Sequence, residues 1–323
     1  MKVLVIGSGG REHAICWALN KSKKVDKIYC SPGNAGTDKI AINAKIDVSN
    51  FRNLEKFIKK ERIDLVIVGP EKPLVNGIVD FLEKKKVKVF GPNKYSSQLE
   101  GSKTFTKKIC DKYNIPTAKF KIIKNKDNLS KILKIFSLPI VVKADGLAAG
   151  KGVYICYHEK DLRIAIDEIF KGKFGLAKKV LVEEYLDGEE MSFFIISDGK
   201  TFKVFGTAQD HKKVGEGEIG PNTGGMGSYS PSRLENKILE KKILAKIIQP
   251  TLRALKDKNN KFKGFLYAGL MIVKNEPYLI EYNVRMGDPE CQTILPRLKT
   301  DFFEIINSCI NNNLEKIDIK WSS

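Results

Sequence analysis

The sequence lacks the paired cysteines and long apolar runs that mark secreted, zinc-binding and membrane proteins. Its six cysteines are scattered over 323 residues, and none stands in a C-x-x-C pair. This pattern is typical of reduced thiols in a cytoplasmic protein, without a disulfide framework or a zinc site. No apolar run approaches the roughly 20 residues that span a membrane. The first apolar run, residues 3–6, is too short for a signal peptide and predicts a first strand.

Arginine is scarce although the chain is strongly basic. Lysine and arginine total 57 against 38 acidic residues, a formal net charge of +19, yet only eight of the basic residues are arginine. Recognition of base edges and forked binding of phosphate both favour arginine. The lysines lie in short, dispersed clusters such as residues 84–86 and 107–108. We therefore expect a solvated lysine-rich surface, with no nucleic-acid partner and no membrane partner, that attracts small anionic substrates.

Length and pattern predict about two domains of α/β class. The composition is 42% apolar and 29% charged, which is ordinary for a globular protein. In residues 1–92, short apolar strands alternate with helical segments at 11–20, 50–60 and 74–86, which predicts an N-terminal doubly wound parallel sheet. The further predicted strands are 27–30, 65–68, 87–90, 180–184, 191–196, 202–207, 265–273 and 278–285. With helices at 103–113 and 233–256, the second half is predicted to be an α+β domain.

The most informative segment is the predicted strand at residues 278–285. Side chains two apart share a face of a strand, so Glu281, Asn283 and Arg285 are expected to project together. A carboxylate and an amide oxygen suit Mg²⁺, which is commonly held by one or two protein groups plus nucleotide phosphates. Arg285 could hold a phosphate oxygen through a forked contact. The alternative is an edge strand with a solvated polar face.

Two glycine-containing turns follow predicted strands of the N-terminal sheet. Residues 7–12 read GSGGRE and open a helix, where free backbone N–H groups can bind an anion. The dinucleotide fingerprint fails, because Glu12 replaces its third glycine and no acidic residue closes the second strand, so a smaller phosphate ligand is favoured over a nicotinamide cofactor. Gly69, Pro70 and Glu71 are expected to line the same crevice. Both turns could also be purely structural.

A third glycine-rich loop follows the apolar residues 138–142. Lys143 ends this strand, and the loop then carries Gly146, Gly150, Lys151 and Gly152. Small residues let the backbone close over phosphates, whose charge two lysines would offset. The alternative is a β-hairpin with a flexible tip. The acidic segment at 183–190 could accept hydrogen bonds from adenine and ribose, although an acidic turn alone is usually just solvated.

The order of lysine, glycine-rich loop, acidic segment and final Glu-x-Asn strand resembles the ATP-grasp enzymes. Within them the chain is most similar to the phosphoribosylamine–glycine ligase (glycinamide ribonucleotide synthetase) family. The most specific stretches are GSGGREHA at residues 7–14, the segment 210–227 that ends in GPNTGGMG, and NVRMGDPE at residues 283–290. The resemblance runs from the first residue to about Trp321. It implies an N-terminal substrate domain at 1–100 and an ATP-grasp domain at 101–323 with a lid at about 117–186.

The resemblance also implies roles for individual residues. Those assigned to ATP are Lys103, Lys143, Gly146, Gly150, Lys151, Gly152, Glu183, Glu184, Tyr185, Leu186 and Glu190. In this assignment Gly146–Gly152 form a flap over the phosphates, Glu183 and the backbone near Tyr185 bind adenine, and Glu190 binds ribose. Those assigned to the other substrates are Gly9, Gly10, Glu71, Gly225, Met226, Gly227 and Asp288. Glu281 and Asn283 are the implied ligands of Mg²⁺ or Mn²⁺.

The implied catalytic residues are Arg285 on phosphate and Asp210, His211 and Lys212 near the glycine and its acceptor. His211 could instead be structural. The implied reaction joins glycine to 5-phosphoribosylamine at the expense of ATP, in a cytoplasmic monomer or weak homo-oligomer. Another ATP-grasp ligase or carboxylase, or an inactive ATP-binding fragment, is the alternative. Members of the family usually continue into a small C-terminal domain, which is expected to be absent because the chain stops at Ser323.

Overall fold

The computed structural model describes residues 1–124, 129–148, 152–175, 177, 179–217 and 219–322. Its first sheet is built from the short apolar segments of the first 90 residues. The strands are β1 (Lys2–Gly7), β2 (Lys27–Pro32), β3 (Ile42–Asn43), β4 (Leu65–Val68) and β5 (Val89–Phe90). They pair in parallel in the order β3-β2-β1-β4-β5, as the alternating pattern predicted. The order reverses between β1 and β4, which opens a ligand crevice at their carboxyl ends.

The helices of this first unit differ from the sequence prediction at one place. They are α1 (Gly10–Asn20), α2 (Phe51–Glu61), α3 (Glu71–Asn76) and α4 (Ile78–Lys84). The single helix predicted over 74–86 is wrong, because Gly77 separates α3 from α4 with a φ of 91°. Glycine adopts this left-handed conformation without the penalty that a side chain would add. The two-residue strand β3 escaped prediction because it is too short to show a pattern.

A four-stranded antiparallel sheet follows two short helices. The elements are α5 (Gln98–Gly101), α6 (Lys103–Lys112), β6 (Phe120–Ile123), α7 (Leu129–Leu133), β7 (Ile140–Ala144), β8 (Val153–Cys156), α8 (Glu159–Phe170) and β9 (Val180–Glu184). The strand order is β6-β9-β7-β8, and the apolar faces of α7 and α8 cover a core that belongs to this sheet alone. We call β6–β9 with α7 and α8 the small sheet unit. Strands β7 and β8 form a hairpin in which Lys143 lies opposite Val153.

The third sheet is antiparallel and has the order β12-β11-β10-β13-β14. Its strands are β10 (Glu189–Asp198), β11 (Phe202–Gly215), β12 (Ile219–Tyr229), β13 (Lys263–Val273) and β14 (Glu276–Asn283). The sequence analysis predicts no strand at β12, because four glycines interrupt its pattern, but the segment pairs with β11. Strand β14 ends at Asn283, so Arg285 lies beyond the strand that was predicted to include it.

The helices of this part are α9 (Lys237–Ile243), α10 (Gln249–Lys256), α11 (Glu290–Ile294) and α12 (Phe302–Ile310). The helix predicted over 233–256 begins later, because the Asn236 side chain caps it by accepting hydrogen bonds from the N–H groups of Ile238 and Leu239. A π-helical turn, Leu244–Ile248, joins α9 to α10.

Two large apolar cores connect the first sheet to the third. One contains Leu4 and Leu266, and the other contains Val5 and Phe194, all fully buried. With these shared cores, the turns after β1 and β4 contact the residues that follow β14: Arg11 donates to the Met286 carbonyl, and Glu71 lies 3.5 Å from Arg285. Within the described ranges, no helix combines the length and apolar character that crossing a membrane requires.

Candidate active site

A single cavity lies where the three sheets meet. Many of the residues predicted from sequence line it: Glu71, Lys103, Lys143, Gly146, Glu190, Asp210, Lys212, Glu281, Asn283, Arg285 and Asp288. They come from α3, from α6, from β7 and the turn after it, from β10 and β11, and from β14 and the residues that follow it. The tertiary structure therefore gathers residues more than 200 positions apart in the chain into one polar pocket.

Other predicted residues lie outside the described lining of this cavity: Gly9, Gly10, Gly152, Glu183, Glu184, Tyr185, Leu186, His211, Gly225, Met226 and Gly227. Glu184 accepts a hydrogen bond from the Lys119 N–H, and Tyr185 and Met226 are exposed. His211 lies opposite Gly227 in the β11–β12 pair, with its ring 5.9 Å from that of Tyr229. Gly150 and Lys151 fall outside the residues that the structure describes.

Glu281 and Asn283 point into the cavity from the end of β14. Burial opposes ionisation of Glu281, but the positive charges of Lys212 and Lys103 outweigh it and lower the pKa of this carboxyl. Asn283 is buried, and its Oδ1 accepts a hydrogen bond from Arg285 Nη2 at 3.1 Å. The site thus offers an ionised carboxylate and an amide oxygen side by side.

This donor set fits a hard divalent cation. Oxygen ligands from one carboxylate and one amide match the few protein groups that Mg²⁺ usually takes, with water and phosphate completing its shell. In the described ranges, no cluster of three or more His, Cys, Asp or Glu forms a metal cage. A cation at Glu281 and Asn283 would accordingly depend on oxygens from a bound phosphate.

Arg285 is held between two carboxylates of the N-terminal part of the chain. Its Nη2 donates to Glu100 Oε1 at 2.6 Å, and its Nε lies 3.5 Å from Glu71 Oε2. Glu100 also accepts a hydrogen bond from the Val284 N–H. Burial raises the pKa of Glu100, against the effect of the Arg285 charge. The guanidinium predicted to contact phosphate is therefore oriented by ion pairs within the chain.

Lys103 and Lys143 also line the cavity. Lys103 Nζ donates to the Gly146 carbonyl at 3.0 Å, so α6 is tied to the turn after β7. Lys143 Nζ lies 2.6 Å from Glu183 Oε2, and Lys107 Nζ lies 2.7 Å from Glu183 Oε1. Both oxygens of Glu183 are thus engaged by buried lysines. The predicted contact between Glu183 and adenine stays a prediction.

The glycine-rich start of α1 is closed around Glu12. The Gly9 N–H donates to Glu12 Oε2 at 2.7 Å, and Arg11 Nε donates to Glu12 Oε1 at 2.5 Å. A Cβ at Gly69 would lie 2.1 Å from Glu12 Oε1, so that glycine provides the space for the carboxylate. The residue that breaks the dinucleotide fingerprint therefore caps α1. The Arg11 N–H donates to Asp288 Oδ2 at 3.3 Å, which joins this turn to the cavity wall.

A mixed acidic and basic group occupies the end of the cavity near β10 and β11. Lys212 Nζ lies 3.2 Å from Glu190 Oε2, and the pKa of Lys212 is raised by that carboxylate. Glu290 is buried and accepts a hydrogen bond from Ser192 Oγ at 3.2 Å. Burial, reinforced by the Glu290 charge, raises the pKa of Asp210 to about 7. Asp210 can therefore exchange a proton near neutral pH.

The cavity also contains polar residues that the sequence analysis did not single out: Arg11, Glu100, Lys107, Ser192, Thr223, Tyr267 and Glu290. For Lys107 a signal was available, because it stands four residues after Lys103 and shares its face of α6. Glu290 lies inside the specific stretch 283–290. Glu100, Ser192 and Tyr267 carry no local signal, since only the packing of distant elements brings them to the site.

Comparison with known families gives two matches along the chain. The family model described as phosphoribosylglycinamide synthetase, N domain, matches residues 1–100, and that described as phosphoribosylglycinamide synthetase, ATP-grasp (A) domain, matches residues 101–291. Phosphoribosylamine–glycine ligase of Brucella melitensis is 47% identical over 99% of this chain and 75% of its own length. That of Clostridium acetobutylicum is 44% identical over 99% of this chain and 78% of its own length.

The same relationship holds for solved structures. Phosphoribosylamine–glycine ligase of Thermotoga maritima superimposes with a TM-score of 0.84 at 34% identity, covering 97% of this chain and 76% of that chain. The chain thus spans about three quarters of the length of these relatives. Since the family models match most of the chain and the relatives match nearly all of it, the chain belongs to the phosphoribosylamine–glycine ligase family of ATP-grasp enzymes.

Proposed function

We propose that this protein is an ATP-dependent carbon–nitrogen ligase that joins glycine to 5-phosphoribosylamine, giving glycinamide ribonucleotide, ADP and phosphate in purine biosynthesis. One observation carries the proposal: one cavity is lined by Glu281 and Asn283 together with Lys103 and Lys143. Family membership supports the same reaction.

The wall formed by Lys103, Lys143 and the turn at Gly146 is the proposed site of the ATP phosphates. Two ammonium groups offset phosphate charge, and Gly146, with a φ of 103°, adopts a backbone conformation that other residues rarely adopt. Glu190, exposed at the rim, is the proposed ribose ligand. Gly150, Lys151 and Gly152 complete the proposed flap, and Glu183 with the backbone near Tyr185 and Leu186 is the proposed adenine contact.

The proposed chemistry has two steps. The glycine carboxylate attacks the γ-phosphorus of ATP, which gives glycyl phosphate and ADP. The amine of phosphoribosylamine then attacks the acyl carbon, the amide bond forms, phosphate leaves and the amine gives up a proton. Such transfers depend mainly on positioning and neutralisation of charge, which Arg285, Lys103 and Lys143 supply. Because glycyl phosphate hydrolyses readily, the flap has to exclude water.

Glu281 and Asn283 are the proposed ligands of Mg²⁺ or Mn²⁺. A divalent cation there would neutralise charge on the phosphates while they are bound. The chain's own contribution is to keep Glu281 ionised, which the charges of Lys212 and Lys103 favour over the effect of burial.

The acceptor is proposed to enter at the edge of the first sheet. Gly9, Gly10 and Glu71 lie at the carboxyl ends of β1 and β4, and Asp288 connects them to the cavity. Asp210, His211, Lys212 and the β12 residues Gly225, Met226 and Gly227 are proposed to shape the glycine side. We propose residues 1–100 as the substrate domain and 101–323 as the ATP-grasp domain, with the small sheet unit as its lid at about 117–186.

The decisive test measures ADP formed from ATP with Mg²⁺, glycine and freshly made phosphoribosylamine. We expect ADP release to require all of them, and mass spectrometry to detect glycinamide ribonucleotide. Omitting each component in turn is the control, and replacing glycine by alanine tests selectivity. Turnover that does not depend on glycine would point to a different ATP-grasp ligase, and the absence of ATP binding would exclude the proposal.

We also propose that the enzyme works in the cytoplasm as a monomer or weak homo-oligomer acting on small molecules. All six cysteines are free and buried, which suits a reducing compartment. Light scattering over a range of protein concentrations measures the oligomeric state, and a stable dimer at nanomolar concentration would contradict it.

A further inference from the structure

Three buried charges lie at the wall of the cavity that carries Lys143. Lys107 of α6, Lys143 of β7 and Glu183 of β9 are exposed by only 2%, 4% and 3%. The two ion-pair distances are 2.7 Å and 2.6 Å, and each Glu183 oxygen serves one lysine. We call these residues the Lys107–Glu183–Lys143 triad. Two ammonium groups and one carboxylate leave a net charge of +1 in a region shielded from solvent.

Lys107 is anchored independently of the carboxylate. Its Nζ donates to Thr117 Oγ1 at 2.5 Å, and Thr117 Oγ1 donates to the Leu279 carbonyl of β14 at 2.6 Å. The triad therefore connects α6, the small sheet unit and the strand that carries Glu281. Burial lowers the pKa of Lys107. Burial also opposes ionisation of Glu183, but Lys143 and Lys107 outweigh it and lower the pKa of Glu183.

We propose that Lys107 is a positioning residue for ATP. Its ammonium group pairs with one oxygen of Glu183, while the other oxygen orients Lys143. Because Lys107 balances the negative charge of Glu183, the positive charge of Lys143 is not cancelled. Without Lys107, the buried pair of Glu183 and Lys143 would have no net charge to attract the triphosphate. With Lys107 present, the group keeps one positive charge that water cannot screen effectively. Glu183 then also acts on the phosphate side of the nucleotide, through Lys143.

This inference rests on the proposed function, because it assumes that Lys143 faces ATP phosphates. It leads to an expectation that a purely structural role would not produce. Lys107→Met removes one positive charge at similar volume, and the net charge of the triad falls to zero. Adding Glu183→Gln to that variant removes the negative charge as well and restores +1 on Lys143. If charge is the cause, the second substitution should restore the affinity for MgATP. If lost packing is the cause, the losses of affinity from the two substitutions should add.

Calorimetric titration of the full chain with MgATP and with AMP tests the idea. We expect Lys107→Met to weaken the affinity for MgATP roughly tenfold, in line with close charge pairs at interfaces. The affinity for AMP should stay within about twofold of wild type. The K107M/E183Q double variant should return to within about threefold of wild type for MgATP. Lys108→Met is the matched control, because this neighbouring lysine on α6 is exposed and should leave both affinities unchanged.

Each other outcome overturns the inference. It is wrong if Lys107→Met binds MgATP as tightly as wild type, or if its affinity for AMP falls to the same degree as its affinity for MgATP. It is also wrong if the double variant binds MgATP more weakly than the single variant. Should Lys107→Met fail to fold, as judged by circular dichroism, the double variant alone decides, and a loss above tenfold contradicts the proposal. Wild-type protein that does not bind MgATP at all would overturn the proposed function, whereas wild-type binding with an unaffected Lys107→Met variant overturns only this inference.

Discussion

At the residue scale, Arg285 shows how the cavity holds a positive charge in a fixed orientation. Its guanidinium is fixed by Glu100 at 2.6 Å and lies 3.5 Å from Glu71. Burial opposes its positive charge, but the two carboxylates outweigh that effect and raise the pKa of Arg285. A preorganised cation of this kind stabilises developing negative charge without having to reorient.

Replacing Arg285 by alanine should therefore lower glycine-dependent ADP release by roughly 10²–10³, the cost of removing one preorganised donor. Initial rates at saturating ATP and glycine provide the measurement. Arg163→Ala is a suitable control, because that arginine lies on the exposed face of α8. An Arg285→Ala variant with unchanged turnover would contradict the assignment.

Asp210 should make stability depend on pH in an unusual direction. Burial raises its pKa to about 7, whereas an unfolded chain has a value of about 3.9. The folded state therefore holds this proton more tightly, and the stability it contributes at low pH is lost as pH rises from about 4 to about 7. Asp210→Asn should be increasingly more stable than wild type across this window, as measured by urea unfolding. Parallel curves for the two proteins would refute the shifted pKa.

At the element scale, Gly77 determines that α3 and α4 are separate helices. Its φ of 91° is left-handed, and an added Cβ would lie 3.2 Å from Lys94 Cδ. Gly77→Ala should lower the free energy of unfolding by about 1–2 kcal/mol, the cost of a side chain in this conformation. Urea denaturation gives the value. Gly227→Ala is the control, since a Cβ there meets nothing within 4 Å, and an equal loss in both variants would contradict the explanation.

Periodicity missed strand β12 for a physical reason. Strand β12 contains four glycines, which remove the alternation of side chains, and its pairing with β11 decides its conformation. Strand β9, in contrast, was predicted with the bounds it has, because Val180–Glu184 is a compact β-forming run. Local sequence pattern therefore predicts a segment with a strong intrinsic preference, such as β9. The conformation of β12 is determined by its pairing with β11, which local pattern does not reveal.

At the scale of the whole molecule, the cavity walls belong to units with different cores. The small sheet unit has its own core, whereas the first and third sheets share two. A ligand bound across the cavity should hold the small sheet unit against the other sheets. We expect MgATP at about 100 times its dissociation constant to raise the free energy of unfolding by about 2.7 kcal/mol. It should also slow hydrogen exchange in β6–β9.

Thermal unfolding followed by calorimetry and hydrogen exchange measured by mass spectrometry check this expectation. Excess EDTA is the control, because it removes the divalent cation proposed at Glu281 and Asn283 and should reduce the stabilisation. Equal protection of all three sheets would argue against a lid that closes on the nucleotide.

Sequence alone was enough to identify the parallel sheet, the family and eleven of the cavity-lining residues, because short apolar runs, glycine-rich turns and charged strand ends are local signals. It did not reveal that Glu183 is shared between Lys107 and Lys143, or that Glu100 holds Arg285. Those pairings join residues up to 185 positions apart, and they exist only because shared cores bring the sheets together. Which ionic groups face a ligand and which neutralise one another was therefore decided by tertiary packing.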